Sequence, residues 1–431
     1  MFKNLTLILL FCIFGYSANL HYSFIQKDSN QSTNTLFVIG GIHGDEPGGY
    51  FAPMILSKYY EIKKGSLWIV PNLNFDSIIA NKRGIYGDMN RKFNTIKEDD
   101  EDFSIVTSIK KMMLEDQVDL ILNLHDGRGF YRHKDINGMF NKRAWGQATI
   151  IDQIDIPNIK FGNLHDIAER VSTETNINLN DDNYEFNVKN TNTNTMDKAM
   201  QLSLTYFAIK NNKPAFAIET SKNLPSLDLK VLYQLKTIEK YMKIMDIEFT
   251  RNFDLTEEKI QELLNVNGEI NISGVANFEL KDMVDSLKYF PMSESGIKYT
   301  STNPLVAIVK EDNFYKIMNG NKFISKLIPE TYQFDDSLEE VEIIIDGNKN
   351  SLKMGSTIEV NDWFKIPKIK DYRVNIIGYT NKSNETDKKI SLQDMQNEYA
   401  IDQKNGKYRI EFYKEEKFCG MILVQFKTLK K

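Results

Sequence analysis

The first half of the chain alternates between short apolar runs and longer segments in which apolar residues recur every three or four positions. The former pattern predicts buried strands and the latter amphipathic helices. The predicted strands span residues 34–42, 65–74, 118–125 and 213–221. The predicted helices span residues 48–62, 102–117, 163–176, 195–211 and 228–247. This alternation predicts an α/β domain whose sheet is mainly parallel and buried on both faces.

After residue 250 this alternation stops, and short β-type runs separated by turn residues take its place. Such runs predict an all-β domain of the sandwich type. The clearest of them span residues 341–347, 372–380, 407–413 and 419–427. The predicted parts are a leader of residues 1–17, the α/β domain of residues 18–250, a mixed or β-rich accessory domain of residues 251–344, and an all-β, immunoglobulin-like domain of residues 345–431.

One polar segment interrupts the apolar pattern of the α/β domain. It is the asparagine-rich stretch NVKNTNTNTMD, residues 187–197. Asparagine side chains often form hydrogen bonds with the nearby backbone and so favour turns over regular structure. We therefore predict a surface loop at this stretch.

Composition and charge exclude only a few classes of function. The 431 residues are 41% hydrophobic and 26% charged, which is typical of a globular protein, and the formal net charge is −5. A protein that binds nucleic acid usually presents a basic face. We therefore expect no nucleic-acid partner.

The first residues of the chain predict export. Lys3 precedes an apolar run from Leu5 to Phe14, and small residues follow at Gly15 and Ser17. This pattern is typical of a secretory signal peptide, which we expect to be cleaved after Ser17. The apolar run is short for a membrane span, which needs about 20 residues, although an uncleaved anchor is the alternative. We therefore predict a periplasmic protein with no membrane attachment after cleavage.

Side chains that can bind a metal ion follow the ends of three predicted strands. His43 and Glu46 come after the first strand, His125 ends the strand in LILNLHDGRG, and Glu219 ends the strand in PAFAIETS. In open α/β sheets, ligands bind beyond the carboxyl ends of the strands. We therefore expect these four side chains to meet at one edge of the sheet.

Two histidines and one carboxylate are a typical ligand set for a catalytic zinc ion. Three protein ligands leave a fourth position for water, and zinc lowers the pKa of that water toward ~7. We predict that His43, Glu46 and His125 bind one zinc ion. A further carboxylate must take up the proton of the water and pass it to the leaving amine, and Glu219 is the candidate for this general base.

The stretch NKRGIYGDMNRKF, residues 81–93, supplies positive charge to the predicted site. Arg83 and Arg91 lie close together in it, and Asn90 directly precedes Arg91. A guanidinium group can bind a carboxylate through two hydrogen bonds, and it can also stabilise an oxyanion. One arginine would hold a substrate carboxylate and the other the oxyanion, and the spacing leaves open which does which.

The order of these motifs resembles that of the zinc carboxypeptidase superfamily, the M14 metallocarboxypeptidases. The shared motifs are GGIHGDE, RGIYGDMNRKF, NLHDG and AIETS, and the resemblance covers about residues 30–245. It implies a carboxypeptidase-like domain in the α/β part of the chain. It also implies zinc ligation by His43, Glu46 and His125, binding of the substrate's terminal carboxylate by Asn90 and Arg91, oxyanion stabilisation by Arg83, and general base catalysis by Glu219.

The chain further resembles the periplasmic peptidoglycan carboxypeptidases that determine cell shape in curved and helical bacteria. The shared features are the export signal, the stretch HDGRGFYRH and two trailing domains. The resemblance implies that the protein trims uncrosslinked tripeptide stems to dipeptides and releases meso-diaminopimelate. A peptidoglycan muropeptide would then be its substrate, while the sequence names no protein partner. Trp145 and Thr205 are further candidates for lining the substrate pocket.

Two other functions compete with this interpretation. Deacylases of acyl-amino acids belong to the same superfamily and share the first and second motifs, but they are typically cytoplasmic, so the predicted signal peptide argues against them. A non-catalytic protein that binds the cell wall is the second alternative. The presence of Glu219, the candidate general base, argues against that function.

Overall fold

The computed structural model describes residues 20–31, 33–379 and 385–427. The predicted leader of residues 1–17 lies outside the described residues. The chain divides into two units, of which the first ends at Asn265 and the second begins at Val266. Within the described ranges, no helix is both long enough and apolar enough to span a membrane.

The first unit alternates strands and helices along the chain. Its strands are β1 (Ile25–Asp28), β2 (Thr35–Ile39), β3 (Tyr60–Lys64), β4 (Ser66–Val70), β5 (Leu120–Gly127), β6 (Phe130–Tyr131), β7 (Phe140–Asn141), β8 (Ala148–Ile151), β9 (Asn187–Asn190), β10 (Ala215–Ser221) and β11 (Glu248–Arg251). Its helices are α1 (Gly48–Tyr59), α2 (Phe75–Ile79), α3 (Phe103–Met113), α4 (Leu164–Thr175), α5 (Thr193–Met196), α6 (Leu204–Lys210), α7 (Leu227–Ile244) and α8 (Glu257–Asn265). Short 3-10 turns lie at Met89–Arg91, Asp182–Tyr184 and Met200–Leu202.

One sheet in the order β1-β4-β2-β5-β10-β8-β9 organises this unit. The central strands β4, β2, β5 and β10 run parallel, whereas β1 is antiparallel to β4 and β8 is antiparallel to β10. Strands β2, β4 and β5 are buried along their whole length, and helices α1, α4, α6 and α7 pack on the sheet. The predicted α/β fold with a mainly parallel sheet is therefore confirmed.

All five predicted helices are shorter in the structure, and two of them give way to other elements. The helix predicted over residues 48–62 ends at Tyr59, and the next residues form β3 because they pair with β11 far along the chain. The helix predicted over residues 195–211 is also interrupted, since α6 begins only at Leu204. Ser203 caps it by accepting a hydrogen bond from the backbone N–H of Tyr206.

The asparagine-rich stretch at residues 187–197 is not a surface loop. Its first residues form β9, the parallel edge strand next to β8, and its later residues form α5. Pairing with β8 satisfies the backbone of this stretch although its side chains have low β propensity, so tertiary context decides the structure. The prediction was wrong for this reason.

The second unit is built of β-strands. They are β12 (Glu269–Ile272), β13 (Ala276–Glu279), β14 (Ser286–Ser293), β15 (Tyr299–Ser301), β16 (Val306–Lys310), β17 (Tyr315–Asn319), β18 (Lys322–Tyr332), β19 (Glu340–Ile345), β20 (Asn348–Lys353), β21 (Thr357–Val360), β22 (Trp363–Lys365), β23 (Arg373–Ile376), β24 (Ile390–Ser391), β25 (Lys407–Lys414) and β26 (Lys417–Phe426). Single 3-10 turns lie at Leu392–Asp394 and Asn397–Tyr399. The β-rich character predicted for the trailing part of the chain is confirmed.

The hairpin β25–β26 contributes to two hydrophobic clusters of the second unit. Ile422 and Val424 pack in a cluster whose other members come from residue 338 onward. Met421 and Leu423 point the other way, into a cluster built mainly from residues 270–327. Side chains of alternate residues along β26 thus pack on opposite faces of the strand, one face in each cluster.

The boundaries between the parts differ from those predicted from the sequence. The first unit continues past residue 250 to Asn265, because α8 packs against α7. The boundary predicted between residues 344 and 345 falls inside β19, which pairs with β20 over its full length. The two accessory parts fall in one unit of the structure.

Candidate metal centre and active site

A glycine-rich turn brings His43 and Glu46 to the carboxyl edge of the sheet. The turn follows β2, and Gly41 in it has a φ of +73°, which a residue with a side chain rarely adopts. Gly44 packs against the carbonyl group of Ser77 so closely that a Cβ atom would collide with it. These glycines explain why the buried strand stops where the two polar residues begin.

Three buried side chains meet at this edge. Nδ1 of His43 lies 3.1 Å from Oε1 of Glu46, and Nδ1 of His125 lies 2.8 Å from Oε2 of the same carboxylate. The two Nδ1 atoms are 3.2 Å apart. The three side chains are almost inaccessible to solvent. The structure therefore brings together the three residues that the sequence predicts as metal ligands.

The charges of this group are strongly coupled. Burial disfavours the protonated imidazole of His43, but the carboxylates of Glu46 and Asp88 outweigh burial and raise the pKa of His43 to about 9. Burial lowers the pKa of His125. Burial alone would raise the pKa of Glu46, yet the two histidines hold it well below its usual value. Glu46 is thus an anion between one charged and one neutral imidazole.

The donor set fits a metal ion. Each of the three residues offers one ligand atom, and these atoms all lie within 4.8 Å of one another. Imidazole nitrogen and carboxylate oxygen are the ligands that divalent first-row metals take in proteins. Both Nδ1 atoms face the shared carboxylate, so a cation between them would replace the proton that holds the group together.

Asp88 and Arg83 contact the candidate metal ligands from the side that faces away from their shared centre. Oδ1 of Asp88 lies 2.9 Å from Nε2 of His43, the nitrogen that faces away from Glu46. A carboxylate in this position fixes the orientation of the ring and strengthens it as a ligand. Arg83 donates to Oδ2 of Asp88 at 3.0 Å and to Oε1 of Glu46 at 3.2 Å. The predicted oxyanion stabiliser therefore lies directly beside the metal ligands.

The apparent affinity for the metal ion is expected to rise about tenfold per pH unit as the pH approaches 9. In the metal-free protein His43 carries a proton below that pH, and the metal ion must displace this proton to bind. Competition with a chromophoric chelator at about pH 6, 7 and 8 measures this dependence. An affinity that does not change with pH would show that His43 is already neutral in the metal-free protein.

Asp126 ties the ends of the neighbouring strands to helix α1. It accepts hydrogen bonds from the backbone N–H of Gly48 at 2.8 Å and from the hydroxyl of Thr220. Its own backbone N–H donates to Glu46 at 3.2 Å, and burial raises the pKa of its carboxyl to about 6. The only signal in the sequence for such a role is the position of Asp126 beside His125.

Glu219 lies next to His125 in the sheet. The two residues are register partners on the parallel strands β10 and β5, so their side chains leave the same face. Burial and the negative charge of Glu46 raise the pKa of Glu219 well above its usual value. A carboxyl group whose pKa is raised in this way is a candidate general acid or base. The structure thus places the predicted general base beside the metal ligands.

Asn90 and Arg91 lie on the 3-10 turn that follows Asp88. The side chain of Asn90 is buried and its Oδ1 accepts from the backbone N–H of Leu204 at 3.0 Å. Arg91 is partly exposed and donates to the carbonyl oxygen of Asn90 at 3.0 Å. Among the described residues it forms no ion pair, so its guanidinium remains available to an anionic group.

The two remaining candidates have different surroundings. Trp145 is partly exposed, and the Nζ atom of Lys189 lies 4.0 Å from the centre of its indole ring. Thr205 is buried on α6, with its hydroxyl 3.2 Å from the hydroxyl of Ser203. The side chain of Thr205 also forms a hydrogen bond with Asp152. A role for either residue in substrate binding stays a prediction.

Two protein-family models match the chain. The model of the M99 peptidases, described as "carboxypeptidase controlling helical cell shape, catalytic", matches residues 5–265. The chain belongs to this family. A second model, for the C-terminal domain of metallo-carboxypeptidases, matches residues 334–427 of this M99 carboxypeptidase. The predicted resemblance to metallocarboxypeptidases that determine cell shape is therefore confirmed, and the protein is a hydrolase with a metal site.

Solved structures of the cell shape determinant Csd4 from Helicobacter pylori are similar to this M99 carboxypeptidase over nearly its whole length. The tripeptide-bound and product-bound forms are 36% identical to it, cover 94% of this chain and 100% of their own, and align with a TM-score of 0.90. The mDAP-bound form of Csd4, a D,L-carboxypeptidase, is 37% identical, with coverages of 93% and 100% and a TM-score of 0.90. No curated protein matches the chain.

Proposed function

We propose that this M99 carboxypeptidase is exported to the periplasm and uses one zinc ion to trim uncrosslinked tripeptide stems of peptidoglycan to dipeptides, releasing meso-diaminopimelate. The observation that carries the proposal is the buried group of His43, Glu46 and His125 beside Glu219, in a chain 36% identical to tripeptide-bound Csd4. The apolar segment at the start of the sequence supports export. Trimming of this kind would influence cell shape.

Zinc is the proposed ion because of the chemistry of the donor set. Two imidazole nitrogens and one carboxylate oxygen are typical of catalytic zinc sites, which keep a further position open. A bound zinc ion would supply Lewis-acid activation of a water molecule and of the scissile carbonyl. The buried carboxylate of Glu46, held between two histidines, compensates the charge of such an ion.

Glu219 supplies the proton transfers of the proposed reaction. Its raised pKa keeps the conjugate acid accessible, so the same group can take a proton from the attacking water and deliver it to the leaving amine. Arg83 is positioned by Asp88 and Glu46 at the edge of the metal site, where its guanidinium can stabilise the oxyanion that forms on the scissile carbonyl.

Replacement of Arg91 by Met is expected to raise the KM for a stem with a free terminal carboxylate by about 10- to 100-fold, because a hydrogen bond to a charged group contributes about 1.5–3 kcal/mol. Steady-state kinetics on the free and the amidated tripeptide measure the effect. Arg143→Met, which removes an exposed arginine, is the matched control. If the wild type cleaves the amidated stem as well as the free one, Arg91 does not bind a terminal carboxylate.

The test of the proposed function is digestion of purified muropeptides, analysed by mass spectrometry with and without a chelator. Loss of diaminopimelate from tripeptide monomers, abolished by the chelator and restored by zinc, is the expected result. Unchanged tripeptides in the presence of bound zinc would contradict the proposal. That outcome would favour one of the two alternative functions, a deacylase of acyl-amino acids or a non-catalytic protein that binds the cell wall.

A further inference from the structure

Lys189 lies on the same face of the sheet as Glu219. It is on the edge strand β9, where it pairs with Ile150 of β8, and Ile150 pairs in turn with Ala217 of β10. Glu219 follows Ala217 by two residues, so its side chain leaves the same face of the strand. The side chains of Lys189 and of the candidate general base Glu219 therefore lie on the same face of the sheet.

The ammonium group of Lys189 is held against the segment that carries Trp145. Its Nζ atom donates to the carbonyl oxygen of Ala144 at 2.7 Å and to that of Lys142 at 3.3 Å. It also lies 4.0 Å from the centre of the indole ring of Trp145 and 5.0 Å from that of the Tyr131 ring. These contacts fix the position of the charge, since a cation over an aromatic face is attracted to it.

Within the ranges that the structure describes, Lys189 forms no ion pair. An ammonium group has three donors, and the carbonyl contacts use two of them. Among the described residues, no carboxylate lies within ion-pair distance of Lys189. Burial lowers the pKa of Lys189 to about 8, although the negative charges of Glu219 and Asp197 oppose this shift. A partly buried cation without a counter-ion is costly, and the cost falls when an anion binds to it.

The side chains beside Glu219 on this face of the sheet are small. Its register partner on β8 is Ala148, and Ala217 precedes it on the same face. These alanines form a small apolar cluster with Ile150, against which Trp145 packs. A ligand that enters beside Glu219 therefore meets small apolar side chains first and the ammonium group of Lys189 beyond them.

We propose that Lys189 binds the second carboxylate of the diaminopimelate residue that is released, and so selects stems that end in diaminopimelate over stems that end in lysine. The inference rests on the proposed function. Diaminopimelate and lysine share the same aliphatic side chain, and they differ by one carboxylate at its far end. An ammonium group beyond an apolar floor distinguishes the two by this carboxylate.

The test compares two tripeptides, one ending in meso-diaminopimelate and one ending in lysine, with the zinc-loaded full chain. Lys189→Met is expected to lower kcat/KM for the diaminopimelate stem by about 10- to 100-fold, the factor that a charge-assisted hydrogen bond contributes. The loss on the lysine stem is expected to be much smaller. Lys142→Met removes an exposed lysine from the adjacent segment and leaves its backbone carbonyl in place, so it is the matched control.

The outcomes separate the inference from the function on which it rests. A selective loss on the diaminopimelate stem, partly restored in Lys189→Arg, supports the inference. Equal losses on both stems would overturn it, because they would show that Lys189 only holds the segment of Trp145. No loss on either stem would also overturn it. Cleavage of neither stem by the wild type would refute the proposed function itself.

Discussion

Replacement of Glu219 by Gln is expected to leave the metal ion bound and to lower kcat by about 10²- to 10⁴-fold, the contribution of a general acid or base. Glutamine has nearly the shape of glutamate but cannot take up the proton of the attacking water. Glu219 is not among the three ligand residues, so the metal content should not change. The pair of results, full metal content and lost turnover, is what distinguishes a proton shuttle from a ligand.

Metal analysis and single-turnover kinetics on the same preparation measure both quantities. Glu169→Gln is the matched control, because it makes the same chemical change at an exposed position of helix α4. Full activity in Glu219→Gln would remove Glu219 as the base. Loss of the metal ion together with activity would instead make Glu219 part of the metal site.

Replacement of His43 by Ala is expected to abolish activity and to weaken metal binding by at least about 100-fold, since loss of even an outer partner of a ligand costs about 10- to 100-fold. The variant removes one of three ligand atoms and leaves the negative charge of Glu46 with fewer partners. Asp88→Asn is the intermediate case, because it keeps all three ligands and weakens only the carboxylate partner of His43.

Calorimetric titration of the metal-free proteins gives the affinities in the order wild type, Asp88→Asn, His43→Ala. His165→Ala removes a histidine from helix α4 and serves as the control for the loss of an imidazole. Unchanged metal affinity in His43→Ala would show that the three side chains do not form the metal site. An effect of Asp88→Asn as large as that of His43→Ala would make Asp88 a ligand.

The three candidate metal ligands that the structure brings together could be named from the sequence because each lies in a short motif at the end of an apolar run. The positions of strand ends at one edge then follow from the parallel sheet, without knowledge of the register. His43 and Glu46 are separated by one turn of chain, and His125 ends the predicted strand of residues 118–125, which is mostly apolar. Local pattern and general topology were sufficient for these residues.

Asp88 and Lys189 could not be predicted in the same way. Asp88 contacts His43 across 45 positions of sequence, and Lys189 reaches Trp145 because β9 pairs with β8. These contacts depend on strand register and on the path of connecting segments, which no local pattern records. The asparagine-rich stretch illustrates the same limit, since its strand exists only through pairing with a neighbour.

The hairpin β25–β26 has a consequence for the order in which the two units can fold during synthesis. A chain emerges from its N-terminus and its domains generally fold as units. The first unit is complete once Asn265 has emerged, so that unit can form before the second. Both hydrophobic clusters of the second unit need side chains of residues 407–426, so its earlier strands must wait for them with their apolar faces exposed. Apolar surface that stays exposed during this interval makes the second unit prone to aggregation until the hairpin has formed.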